Sequence, residues 1–209
     1  MIEFNFDEEL AETAETTGGS FGTLDTGIYG VTINFASLDV TSKGNNTLAL
    51  DITTDDGHTT TIWSAFGTID KTWSSGSENF SYKDFQSFMA VAGAKSITPT
   101  PYALKKDDGT LIKNLSVIKE LHGIKLKLAI QKELDMYNGE VKERNLVHSS
   151  YNAKGQTYLE AKSKADAEKI DKVATRLKDK VSKQYKASMA EAESAFGGTV
   201  EEEPTSGLL

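Results

Sequence analysis

Two tryptophans stand among small polar residues in this chain: Trp63 after Thr59-Thr60-Thr61-Ile62, and Trp73 in a Ser- and Thr-rich stretch two residues beyond Lys71. A flat aromatic face beside a cation is what stacks a planar base and holds its phosphate. Further cations follow a β pattern. Lys125 and Lys127 alternate with Ile124, Leu126 and Leu128, and Lys142 and Arg144 come just after Asn138-Gly139. Period-two alternation sends Lys125 and Lys127 to the face opposite the apolar residues. Across a hairpin turning at Asn138-Gly139, Lys142 and Arg144 are expected on that same face. In the preceding strand Ile62 and Phe66 share a parity opposite to Trp63, so burying the first two exposes the indole. Four cations for the phosphates, with Lys71, Trp73 and Trp63 for the bases, amount to a groove for single-stranded nucleic acid.

Other chemistries find less support. The histidines, His58, His122 and His148, share no ligand spacing and read as surface or structural residues. There is no phosphate loop, dinucleotide fingerprint or Gly-x-Ser-x-Gly elbow. Asp55-Asp56 and Asp107-Asp108 are each followed by glycine, the signature of a turn, and no third ligand is evident for a metal-dependent nuclease. No enzyme, cofactor or metal is expected. With 0 cysteines the chain has no disulfide framework. No apolar run approaches the roughly 20 residues that span a bilayer, and the start has neither the basic residues nor the apolar core of a signal peptide.

The elements that must position these residues are legible in part. Residues 1–25 are acidic and glycine-interrupted, an extended arm whose Phe4, Phe6 and Phe21 are free to dock on the body. Tyr29, Val31, Ile33 and Phe35 alternate as one apolar face of a first strand, which assigns Tyr29 and Phe35 to the core. A second strand carries Leu48, Leu50 and Ile52, the Asp55-Asp56-Gly57 turn follows, and a third strand runs over 59–66. Residues 67–77 form a long loop, and Phe85, Phe88, Met89 and Ala92 predict a helix over 81–92 capped by Gly93. Pro99 and Pro101 end it, and a short apolar segment spans Leu115 to Leu121. The hairpin of 124–131 and 141–149 comes next. Thr157 and Glu160 have capping-box spacing, and Ile170, Val173, Leu177, Val181 and Tyr185 then predict one amphipathic helix over 156–196. Along it Lys169, Lys172, Arg176, Lys180 and Lys183 form a basic stripe beside an apolar seam, which fits the body or a second copy of the chain in a homodimer. Residues 197–209 read as a disordered acidic tail.

A meander of three strands, a helix and then a hairpin is the element order of an oligonucleotide-binding (OB) fold barrel. The fold class expected is therefore mainly β with α: an OB-fold-like antiparallel barrel over 26–150 with inserted short helices, followed by a long C-terminal helix. Charge is segregated as such a protein requires, with residues 1–94 at −11, 95–190 at +8 and 191–209 at −5 within a net −8.

Glu3-Phe4-Asn5-Phe6-Asp7, Thr26-Gly27-Ile28-Tyr29-Gly30-Val31, Thr41-Ser42-Lys43-Gly44 and Asn152-Ala153-Lys154-Gly155-Gln156-Thr157 resemble segments of bacteriophage single-stranded DNA-binding proteins of the OB-fold type. The resemblance implies a protein that coats single-stranded DNA during phage replication or recombination, in the cytoplasm of the infected host. The acidic end Glu201-Glu202-Glu203 with Leu208-Leu209 is similar to the tails by which such proteins recruit replication partners. It departs from that pattern in having three clustered acids and no terminal aromatic residue. The alternative reading is a β-rich virion or assembly protein that acts through protein contacts alone.

Overall fold

The alternation of residues 27–54 builds the first two strands, with one irregularity that decides what faces outward. The computed structural model describes residues 22–72, 76–105, 111–137 and 139–196. Strand β1 (Gly27–Val40) pairs antiparallel with β2 (Asn46–Thr54), but the register jumps from Ile33↔Ile52 to Phe35↔Asp51, leaving Asn34 as the extra residue of a bulge. Its side-chain Nδ2 donates to Asp51 Oδ1 at 2.9 Å and to Thr53 Oγ1 at 2.8 Å, which fixes the kink. A bulge shifts the side-chain parity by one. Val31 and Ile33 are buried before it and Ala36 after it, so Phe35, expected in the core, is turned to the outer face. Tyr29 is half-buried, packs on the edge of the core and donates from its hydroxyl to Asp25 O at 2.9 Å.

The third strand is shorter than expected. Strand β3 (Thr59–Ile62) pairs with β2 from Thr53↔Thr59 to Leu50↔Ile62 and then stops, because Ser64 adopts a left-handed φ of 51°. The chain turns there and resumes alongside β2, with Ala65 N–H donating to Leu48 O at 2.8 Å and Ile69 N–H to Asn46 O at 2.9 Å. Helix α1 (Phe80–Val91) follows, close to the expected bounds. Buried Asn79 caps it through Ser81 N–H at 3.1 Å, while its Nδ2 donates to Thr68 O and Asp70 O and so staples the loop to the helix. Gly93 (φ 72°) ends it, as the spacing predicts, with Ala94 N–H reaching back to Met89 O. Phe85 and Phe88 plug the end of the core against Phe66.

Between α1 and the long hairpin lies an element absent from the sequence reading. Strands β4 (Thr100–Lys105) and β5 (Leu111–Val117) form a second hairpin, followed by a 3₁₀ turn at Lys119–Leu121. Pro101, read only as a helix stop, sits on the edge strand, where the missing N–H removes no ladder bond. The Lys106–Gly109 turn expected here lies outside the described residues. Strands β6 (Lys125–Tyr137) and β7 (Glu140–Asn152) make the expected hairpin and are longer than expected, with a bulge where Ala129↔Ser149 gives way to Ile130↔Val147.

One edge of β1 serves two partners: Gly27–Thr32 pairs with β6, and Ser37–Leu38 pairs with β5. The eight described strands form one sheet, antiparallel except for the short β8 (Lys180–Val181), in the order β3-β2-β1-β5-β4; β6 branches from β1 and itself pairs with β7 and β8. It is not a closed barrel. Between β7 and the end of β3 no ladder forms, only a hydrogen bond from Val147 N–H to Ala65 O at 2.7 Å. Ile33, Leu48, Leu50, Ile52, Ile62, Leu126, Leu128 and Ile130 fill the interior, each fully buried aliphatic side chain contributing about 1.5–3 kcal/mol.

The single C-terminal helix is the largest correction. The segment 156–196 divides into α2 (Tyr158–Ser163), α3 (Glu168–Ala174), β8 (Lys180–Val181) and α4 (Lys183–Phe196). The capping box at Thr157 and Glu160 forms as expected, but Lys164 takes φ 55° and ends α2. Glu160 then accepts Lys169 N–H at 2.9 Å, turning the chain back, and Ile170 packs where Gly155 has no side chain. Val181 pairs in parallel with Leu134 of β6 instead of continuing a helix. The apolar residues at helical spacing, Ile170, Val173, Leu177, Val181 and Tyr185, are thus divided among α3, the segment after it, β8 and α4. The basic stripe from Lys169 to Lys183 is correspondingly spread over three elements.

Candidate nucleic-acid interface

The outer face of β1, β2 and β3 is a hydrogen-bonded polar surface. Thr61 Oγ1 donates to Asp51 Oδ2 at 3.2 Å, Asp51 and Thr53 accept from Asn34, and the Thr53 and Thr59 hydroxyls meet at 3.2 Å. At the end of β3 the parity argument holds. Trp63 is 63% exposed, and the left-handed Ser64 beside it turns the chain away behind the indole.

Trp63, Thr61, Ser64, Arg144 and Asn145 line a groove of about 400 Å³, with Gly22 and Thr23 as the opposite wall. Asn145 holds that wall in place. Its Oδ1 accepts Leu24 N–H and its Nδ2 donates to Leu24 O, both at 2.7 Å, and Thr60 Oγ1 donates to Gly22 O at 3.2 Å. The end of the acidic arm is thus docked, while Phe4, Phe6 and Phe21 lie outside the described residues.

The four expected cations share a parity along β6 and β7 but stand in two separated pairs. Lys127 lies opposite Tyr151, but Arg144 lies opposite Glu133 and Lys142 opposite Asp135. Six residues along β6 separate the two positions, about 20 Å at strand rise. Lys125 stands across from Thr32 of β1 and is exposed; Lys127, across from Gly30, is half-buried. Lys142 is tied to Glu140 at 2.6 Å at the hairpin tip. Arg144 pairs with buried Glu133, whose other oxygen accepts Lys180 Nζ at 2.9 Å. The triad carries a net positive charge, and the guanidinium reaches from it into the Trp63 groove. Glu143, also on the groove, is held below the usual carboxylate range by the Lys132 ammonium at 3.1 Å and the Thr23 hydroxyl.

Lys71 is exposed at a second cavity, about 520 Å³, shared with Tyr82 and Lys83 of α1. Lys83 sits 5.3 Å over the ring of Phe80, which is 72% exposed, and pairs with Glu78 at 3.1 Å. Phe80, Tyr82 and Lys83 escape a reading by strand parity; the signal for them is an aromatic residue and a lysine three apart in the first turn of a helix. A third cleft, about 380 Å³, opens between β1 and the β4–β5 hairpin, with Phe35 and Tyr102 among its walls. Trp73 and the tail residues Glu201, Glu202, Glu203, Leu208 and Leu209 lie outside the described residues. Compared with protein-family models the chain matches none, and among curated proteins no match is found.

Proposed function

We propose that this protein binds and coats single-stranded DNA, without catalysis and without sequence preference, in phage replication or recombination within the host cytoplasm. The observation that carries the reading is Trp63, 63% exposed at a strand end and sharing a groove with Arg144. A large indole so placed is unusual unless it meets a ligand, and a neighbouring guanidinium suits a phosphate.

The strand path supports the same reading. The succession β3-β2-β1-β6-β7, with α1 between β3 and β6 and β7 returning to the end of β3, follows the order of an OB fold, a partly open Greek-key barrel. On that view β4, β5 and β8 are additions to a five-stranded frame. Stacking on Trp63 is worth about 1–3 kcal/mol per base and is indifferent to sequence, because every base has a π-face. Arg144, Lys71, Lys83 and Lys125 supply the backbone contacts. In the tail, Glu201, Glu202, Glu203, Leu208 and Leu209 serve recruitment of replication proteins.

Titration of the intrinsic fluorescence with oligothymidylate tests this. Binding should quench the signal, with a slope of log affinity against log salt near −3, from about −0.7 for each of roughly four phosphate contacts. Trp63→Ala should weaken binding about five- to a hundred-fold while leaving the melting temperature nearly unchanged, since an exposed side chain adds little to the core. No quenching and no retention on single-stranded DNA would reject the reading in favour of a protein that acts through protein contacts alone.

A further inference from the structure

We infer that the inserted β4–β5 hairpin builds a second base-stacking cleft, in which Phe35 and Tyr102 receive a nucleobase of the same bound strand and Lys119 its phosphate. The inference rests on the single-strand reading and extends it to a place no strand-parity argument reached.

Register puts the aromatic residues on one face. Phe35 pairs with Asp51, and Asp51 with Thr61, whose parity Trp63 shares. On the other side of β1, Ser37 pairs with Val117, while on β5 Val117 pairs with Thr100 and Leu115 with Tyr102. Directly paired residues point to the same side of a sheet. Phe35 and Tyr102 therefore stand on one outer face, on β1 and β4, with Trp63 just past the end of β3 following the same parity; Trp63 is two residues and Tyr102 four residues further along the strand direction than Phe35.

Two local features make the cleft. The Asn34 bulge turns Phe35 outward, and the β4–β5 hairpin joins β1 just beyond it, so that half-buried Phe35 and Tyr102, 38% exposed, line one cleft. Charge identifies the occupant. Among the described residues no carboxylate lines the cleft, whereas exposed Lys119 does, beside His122, and exposed Lys125 stands on β6 across from Thr32. Glu120, the nearest acid in sequence, is turned aside to accept Thr98 N–H at 3.0 Å. Apolar aromatic walls with a cationic rim fit a ligand that is flat and anionic, which a nucleotide is and an apolar peptide is not.

The test compares oligothymidylates of two lengths: a short one that can occupy only the Trp63 groove and a long one that spans the face. Tyr102→Ala should weaken the long oligonucleotide about five- to a hundred-fold and leave the short one unaffected. Lys119→Gln should lower the salt slope for the long one by about 0.7. Phe35→Leu, which keeps an apolar side chain beside the bulge, should act in the same direction as Tyr102→Ala. If wild type binds, Trp63→Ala weakens both lengths and Tyr102→Ala changes neither, the second cleft is rejected while the single-strand reading stands. If wild type binds neither length, that reading fails, and the cleft with it. Binding of an apolar peptide that Tyr102→Ala abolishes, with DNA affinity unchanged, would assign the cleft to a protein partner instead.

Discussion

At the scale of single residues, Glu133 governs how much of Arg144 is available to a ligand. Its carboxylate is buried between two cations that are each about half exposed, Arg144 at 53% and Lys180 at 51%. Either cation alone can neutralise it. Arg144→Ala and Lys180→Ala should therefore each cost about 1 kcal/mol in urea unfolding. The double variant, which strands a buried charge, should lose about 3–5 kcal/mol, and a simply additive result would show that the two cations do not share the carboxylate. The Glu133–Arg144 pairing was legible in principle, because counting outward from Asn138-Gly139 sets those two residues opposite one another. The same count keeps Lys142 and Arg144 on the parity of Lys125 and Lys127 but several residues away along β6, so the four make two pairs and not one cluster. The exposure of Trp63 did follow from parity, since no bulge lies between it and Ile62. Phe35 did not, since one intervening bulge reverses the face and nothing in the alternation announces it.

At the scale of elements, the first three strands, the long hairpin, their turns and the caps followed from local chemistry, and the β4–β5 hairpin and the division of the C-terminal segment did not. The capping box of α2 accounts for the last of these. Burial pushes the Glu160 carboxyl up, but hydrogen bonds from Thr157 N–H and Oγ1 at 2.8 Å and from Lys169 N–H at 2.9 Å outweigh it and hold the group below its ordinary value. One carboxylate thus starts α2 and redirects the chain after it, a second role that no helical periodicity encodes. A depressed value means that the stabilisation is present above the unfolded glutamate value of about 4.3 and is lost as pH falls through the folded one. Glu160→Gln should be less stable than wild type by about 1.5 kcal/mol at pH 7. The gap should close in acid, and a gap constant from pH 7 to pH 3 would show that the charge of Glu160 does not matter.

At the scale of the whole molecule, the acidic first block and the basic middle are brought together, as the docking of Leu24 against Asn145 illustrates. That contact joins residues more than a hundred positions apart and has no sequence signal. Nor does the choice of β5 as the second partner of β1, which follows from where β6 stops. This last feature bears on solubility as well as on ligands. Beyond Thr32, β1 has no β6 to pair with, and without the inserted hairpin Ala36 and Leu38 would present bare N–H and C=O groups at a sheet edge. Such an edge is a template for another chain. The hairpin moves the exposed rim outward to β4, where Pro101 has no N–H to offer an incoming strand. Replacing residues 99–117 with a short Gly-Ser linker should therefore make the protein self-associate more than wild type as concentration rises, as read by size-exclusion chromatography with light scattering. An unchanged mass across the concentration range would mean that β1 needs no such cover. On this account the segment is a guard against strand-to-strand polymerisation, and its aromatic cleft is built on the inner side of a shield.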